Sequence, residues 1–204
     1  MGTCKVRLSH LLMLGFLASG AAHAEIVPRA IHGSVGMMTL STYSDRYQPT
    51  TANLSVSSMG MDVALTNRWS GSFNALMSTD ETIAAFGFGG RFHFVRRRVV
   101  TNGGRNGYVQ HTITSVPRWH FDVGAAVARY RVNQSLSTND PFTITALRRV
   151  PVQADLYGLA LAPSASLAFD ERWALEGRYT YGYATATGFN IVAHAMTLGV
   201  SFSF

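Results

Sequence analysis

The sequence predicts an all-β protein: an eight-stranded antiparallel transmembrane up-and-down β-barrel. Three observations predict it. Apolar residues recur at every second position along eight segments, the period of a strand with two unlike faces. The opposing faces are built of Gly, Ala, Ser and Thr with single charges. Charged residues make up 14% of the 204-residue chain, against about 25% in an ordinary soluble domain. A solvated sheet face carries many charges. A lumen nearly filled by its own side chains needs small ones.

The chain opens with MGTCKVRLSHLLMLGFLASGAAHA. Lys5 and Arg7 form a basic start, Leu11 to Leu17 an apolar run, and Ala22-His23-Ala24 a small-residue cleavage site. This is the pattern of a Sec-type signal peptide over residues 1–24. The apolar run is shorter than the roughly 20 residues of a membrane helix. The mature chain is expected to span 25–204 as one domain. Cys4 and Lys5, the only cysteine and the only lysine, both lie in the leader, which excludes disulfides and thiolate metal sites after cleavage. Without Lys5 and Arg7 the seventeen basic residues become fifteen arginines against eleven acids, a formal +4. That is too mild to call for nucleic acid, and arginine suits anionic head groups as well.

The expected strands cover 31–43, 53–66, 69–78, 83–96, 118–132, 155–169, 173–186 and 191–204. Phe86, Phe88, Phe92 and Phe94 share one face of the fourth; Gly87, Gly89, Arg91 and His93 share the other. Trp173, Leu175, Tyr179, Tyr181 and Tyr183 oppose Ala174, Glu176, Arg178, Thr180 and Gly182. The second segment changes phase near Ser57 and Ser58, which predicts a bulge. Most segments reach the 9–11 residues that a tilted strand needs to cross a bilayer.

The connections at 66–68 and 170–172 are short and polar, each followed by a tryptophan. Those at 44–52, 78–82 and 133–154 are longer. Trp69, Trp119 and Trp173 all begin strands on the short-turn side, the level of a membrane-interface aromatic belt. The segment 96–118, with Arg96, Arg97, Arg98 and a strong NGGRNG turn, is expected to form a periplasmic hairpin extension. A backbone in lipid must satisfy all its hydrogen bonds, so the sheet must close and the last strand must pair with the first.

The closing stretch is HAMTLGVSFSF. Met196, Leu198, Val200, Phe202 and Phe204 alternate with small or polar residues. On this tail and the strand pattern the chain resembles the small eight-stranded outer-membrane barrels of the OmpA/OmpX type, as a barrel with no peptidoglycan-binding domain. The resemblance implies an outer-membrane location. It also implies that the tail ending in Phe204 is read by the outer-membrane insertion machinery.

Alternation places Asp62, Arg91, His93, His120, Asp122, Glu176 and Arg178 on inward faces near the short turns. Charges away from water must pair, so an ionic plug is expected there in a lumen that is polar throughout. A Ser–His–Asp set can be drawn from Ser70 or Ser72, His120 and Asp122, but serines are too common on these faces for the match to be specific. The histidines show no metal-binding spacing, and no cofactor motif is present. Arg46, Arg129, Arg131, Arg148 and Arg149 fall at the long-loop end, where lipopolysaccharide phosphates are the expected contacts. The functional expectation is a monomeric barrel with a structural or surface-interaction role, in contact with outer-membrane lipids and lipopolysaccharide and with no nucleic-acid partner. A lipid A-modifying enzyme and a narrow channel are the alternatives.

Overall fold

A computed structural model describes residues 27–66, 68–94, 119–137, 149–170 and 172–204. The leader, the basic segment 96–118 and the whole connection 138–148 between β5 and β6 lie outside them. Eight strands follow in order: β1 (Val27–Ser44), β2 (Thr50–Ala64), β3 (Trp69–Ser78), β4 (Ile83–His93), β5 (Trp119–Ser137), β6 (Arg149–Ala168), β7 (Trp173–Ala186) and β8 (Phe189–Ser203). Each pairs antiparallel with the next. β8 pairs antiparallel with β1, from Ala30↔Ser203 to Ser44↔Phe189, and closes the barrel. With no free sheet edge at membrane depth, nearly every ladder group is satisfied within the protein, the condition lipid imposes.

The two short inner turns share one construction. Thr66 Oγ1 accepts the N–H groups of Arg68 and Trp69 at 3.2 and 3.0 Å. Asp170 Oδ1 accepts those of Arg172 and Trp173 at 2.7 and 2.6 Å. Side-chain oxygens of this kind stand in for a backbone turn and fix where the following tryptophan emerges. Trp69 packs on Phe92 and Phe92 on Phe94; Trp173 packs on Phe202 and Phe202 on Phe204, with centroids 4.9–5.3 Å apart. The final phenylalanine completes the second of two matching aromatic rows. Trp119 is likewise exposed at this level. The outer side is less uniform than its long loops imply, because β7 and β8 are joined by only Thr187 and Gly188. Gly188 takes a φ of +70° there, which a two-residue hairpin favours and glycine adopts without strain.

Outward apolar residues form a band. It runs from Trp119 up to Arg129 on β5, from Trp173 to Tyr183 on β7 and, on the closing strand, from Phe204 just past β8 to His194, ten residue steps in each case. At about 3.3 Å per residue and a tilt of about 40°, ten residues rise roughly 25 Å, the height of an outer-membrane apolar belt.

Above the band the polarity of the two faces exchanges. On β5 the outward row continues as Arg129, Arg131, Asn133 and Ser135, while Tyr130, Val132 and Leu136 are buried inward. On β2 Asn53, Ser55 and Ser57 face out, and Leu54 and Val56 are buried. The phase change near Ser57 is this exchange. It is not the expected bulge, because the pairing with β1 runs unbroken through Val35↔Ser57 and Ser34↔Ser58. The lumen is also not polar throughout. Leu40, Ile83, Val132, Leu136, Leu156 and Ile191 are at most 1% exposed and fill its outer half as an apolar core. Out of the bilayer, water bathes the exterior and the ordinary hydrophobic effect puts apolar side chains inside. Tyr47, in the β1–β2 loop, packs on this core, and Gln48 N–H donates to Ser137 O at 3.0 Å across the mouth.

Glycines allow the close approach of neighbouring strands. A side chain at inward-facing Gly36, Gly89, Gly158 or Gly199 would strike backbone of the adjacent strand, so these positions carry the tight curvature of a narrow barrel.

Candidate functional site: the ion-paired floor of the lumen

The inner half of the lumen gathers the buried charges in two groups. In the first, Arg91 on β4 bridges Asp62 on β2 (2.8 Å) and Glu176 on β7 (3.3 Å). Arg178 bonds Glu176 at 2.7 Å through Nη2 and 3.2 Å through Nε, and donates to Asn74 Oδ1 at 2.8 Å. Asn74 Oδ1 also accepts from His32 Nε2 at 2.8 Å, and Asn74 Nδ2 donates to Ser72 Oγ at 3.1 Å. Gly60 makes the His32 contact possible, since a side chain there would overlap His32 Nε2 and Asn74 Oδ1. The two guanidiniums and two carboxylates cancel in charge. Their side chains are 2–8% exposed, and mutual pairing offsets much of the desolvation cost.

The second group is a hydrogen-bonded row across β3, β4 and β5. His93 Nδ1 lies 2.6 Å from Asp122 Oδ1, and His93 Nε2 lies 2.8 Å from Ser70 Oγ. The Asp122 carboxylate accepts from His93 Nδ1, and His93 Nε2 shares the other bond with the Ser70 hydroxyl, with roles set by the tautomer. The histidine of this Ser–His–Asp row is His93, where the sequence pointed to His120. The reason is register: His93 pairs directly with Asp122, whereas His120 sits opposite Ser166 on the far side of β5. Chemically the row can pass a proton. Ser70, however, is fully buried.

Of the seven charges expected in the floor, Asp62, Arg91, Glu176 and Arg178 meet in the first group and His93 and Asp122 in the second. His120 is inward and half-buried. His32 and Asn74 escaped the sequence reading. The even-numbered inward row on β1 already placed His32 in the lumen. His194 faces out; its Nδ1 lies 2.6 Å from the Tyr179 hydroxyl, and Tyr181 meets its ring edge-on with centroids 5.1 Å apart.

At the outer boundary, Arg129 and Arg131 are exposed and share Asp155, at 3.0 and 3.3 Å. Arg46 is exposed in the β1–β2 loop. Arg149 starts β6, where the sequence placed it in a loop; Arg148 lies outside the described residues. Trp69, Trp119 and Trp173 are exposed at the inner rim, and Met196, Leu198, Val200 and Phe204 face outward along β8.

No protein-family model and no curated protein sequence matches the chain. Its fold matches solved outer-membrane barrels. Neisserial surface protein A aligns with a TM-score of 0.55 at 12% identity, over 86% of this chain and 99% of that one. The N-terminal β-barrel domain of Pseudomonas aeruginosa OprF aligns at 0.52 and 12%, over 84% and 97%. The outer membrane protease OmpT from Escherichia coli aligns at 0.50 and 8%, over 91% and 100%. The chain therefore has the architecture of a small outer-membrane barrel of the OmpA/OmpX type. Identities this low establish the fold and leave its role to the chemistry of the site.

Proposed function

We propose that the protein is a sealed outer-membrane barrel whose role is structural and interactive, and that it works through its outer storey. The observation that carries this is the double closure of the lumen. Ion pairs cross the inner half, and an apolar core with the β1–β2 loop above it fills the outer half. An ion would have to displace both, so the narrow-channel reading is disfavoured. The test is conductance of the purified protein in planar bilayers. Baseline current is expected; stable single-channel steps overturn the proposal.

The partner at the outer rim is lipopolysaccharide. Arg129 and Arg131 stand at the top of the lipid-facing row, directly above Val127 and beside Tyr157. Asp155 holds both guanidiniums in place, and each keeps N–H donors for a phosphate. Loss of co-purifying lipopolysaccharide in an R129Q/R131Q variant supports this assignment, and unchanged co-purification removes it. The insertion machinery is the partner during assembly, reading the tail that ends in Phe204.

The enzyme reading has one specific observation in its favour, the Ser70–His93–Asp122 row. A hydrolase nucleophile must meet its substrate, and Ser70 has no exposed surface. A fluorophosphonate probe separates the readings: no adduct on Ser70 is expected of a structural row, and a covalent adduct would identify a hydrolase.

A further inference from the structure

The inner ends of β4 and β8 are built alike. Aligned on their last phenylalanines, FGFGGRFHF (86–94) and MTLGVSFSF (196–204) share a glycine and two phenylalanines: Gly89, Phe92 and Phe94 against Gly199, Phe202 and Phe204. Phe86 and Phe88 stand where Met196 and Leu198 do, and all four are exposed on the lipid face. The hydrogen bonds repeat as well. Phe94 N–H donates to Phe121 O on the next strand and Phe204 N–H to Arg29 O, each at 3.1 Å. His93 N–H donates to Arg68 O at 2.8 Å, and Ser203 N–H to Arg172 O at 2.7 Å. Phe92 lies directly opposite Trp69, and Phe202 opposite Trp173.

The glycines match in use. A side chain at Gly89 would strike the carbonyl of Ala125 on β5, and one at Gly199 that of Gly33 on β1. In both places the missing Cβ lets the next strand come close. The other two strands that descend to the inner rim depart from the pattern. β6 has Ser164 at the glycine place, ahead of Leu167 and Phe169. β2 has Gly60 there, but Val63 and Leu65 follow it, and a side chain at Gly60 would meet those of His32 and Asn74. A membrane boundary asks only for aromatic residues at the rim, which Trp119 and Phe169 supply without the glycine. β4 and β8 stand four strands apart in a ring of eight, so shared neighbours do not explain the likeness either.

We propose that the end of β4, residues 86–94, is a second assembly signal, recognised by the same insertion machinery as the tail at 196–204. The proposal rests on that tail being a segment the machinery reads. The partner surface is an exposed strand edge flanked by apolar slots. An extended segment adds to such an edge through its backbone, and alternate side chains fill the slots. Phe88, Phe92 and Phe94 are the alternate side chains, and Gly89 lets the two strands approach. In the closed barrel both edges of β4 are taken by β3 and β5, so recognition falls before closure, on the unfolded chain. One signal ends the first four strands and the other ends the last four.

The test is folding of the urea-unfolded full chain into phosphatidylethanolamine/phosphatidylglycerol liposomes with and without the purified insertion machinery, followed by heat-modifiable gel migration. The readout is the ratio of the two rates. Phe92→Ala/Phe94→Ala and Phe202→Ala/Phe204→Ala should each lower that ratio by about five-fold or more. Phe169→Ala, at the rim of a strand without the pattern, should leave it within about two-fold. A ratio kept by the Phe92/Phe94 variant and lost by the Phe202/Phe204 variant overturns the second signal alone. A ratio kept by the Phe202/Phe204 variant overturns the reading of the tail beneath it. A Phe92/Phe94 variant slowed equally in both kinds of liposome marks a rim anchor and also overturns the second signal. Crosslinking of the unfolded chain through a benzophenone side chain at position 88 reads recognition without folding. An adduct with the machinery is expected, competed away by a peptide of residues 196–204; its absence, or its indifference to the peptide, overturns the proposal.

Discussion

Arg91 on β4 reaches past the intervening strand β3 to the carboxylate of Asp62 on β2, Nη1 to Oδ2 at 2.8 Å. The bond links strands that share no ladder, and Glu176 on the same guanidinium extends it to β7 on the far wall. The lumen floor is therefore a cross-brace as well as a seal.

Asp62→Ala should destabilise the barrel by about 3 kcal/mol, since it leaves a buried guanidinium short of one partner. Asp62→Ala combined with Arg91→Met should recover most of the loss, because no unpaired charge then remains at that position. Urea unfolding in detergent micelles, read by heat-modifiable gel migration, measures both. Equal loss in the single and double variants would show that packing, and not charge pairing, is what Asp62 supplies.

Gly199→Ala should cost about 1–3 kcal/mol or block folding, because the new methyl group would strike the Gly33 carbonyl and Ser34. Gly33→Ala on the adjacent strand is the control. It faces open space and is expected to change stability by less than about 0.5 kcal/mol. The same unfolding assay compares them.

The exchange of faces above the band makes position matter more than residue type. Val132→Asp should destabilise by about 3–5 kcal/mol, the order of an uncompensated buried charge. Asn133→Asp, one residue along and facing water, should be near neutral. Comparable effects at both positions would mean that the outer half of the lumen is wet.

Phe204→Ala should leave the folded barrel nearly as stable as before, since Phe204 is 67% exposed and touches mainly Phe202. It should slow assembly into the outer membrane in cells, read as accumulation of unfolded chain in pulse-chase experiments. Normal assembly kinetics would leave the terminal phenylalanine with an interfacial role alone.

Much of the fold was legible because a strand's period is simple. In Phe86–Phe94 and Trp173–Tyr183 one face is aromatic and the other small, and nothing but a two-sided sheet makes use of that. The lumen charges were legible for the same reason. Their partners were not. Alternation tells which face His93 and His120 occupy, but only the register between β4 and β5 decides that His93, and not His120, meets Asp122. Strand ends were blurred where the band ends: β5 and β6 run to Ser137 and back from Arg149, past the point where lipid-facing residues give way to polar ones.

By itself the sequence determined that a closed, lipid-bathed sheet of eight strands is the solution, because a backbone in hydrocarbon and a row of bare aromatic side chains admit few others. The tertiary structure alone decided how far that rule extends. Closure and tilt lift the outer ends of the strands out of the bilayer, and there the solvent outside changes from hydrocarbon to water. The alternating pattern continues through Ser57 and Arg129, yet its two faces trade places. The apolar core of the outer lumen follows from where the membrane stops.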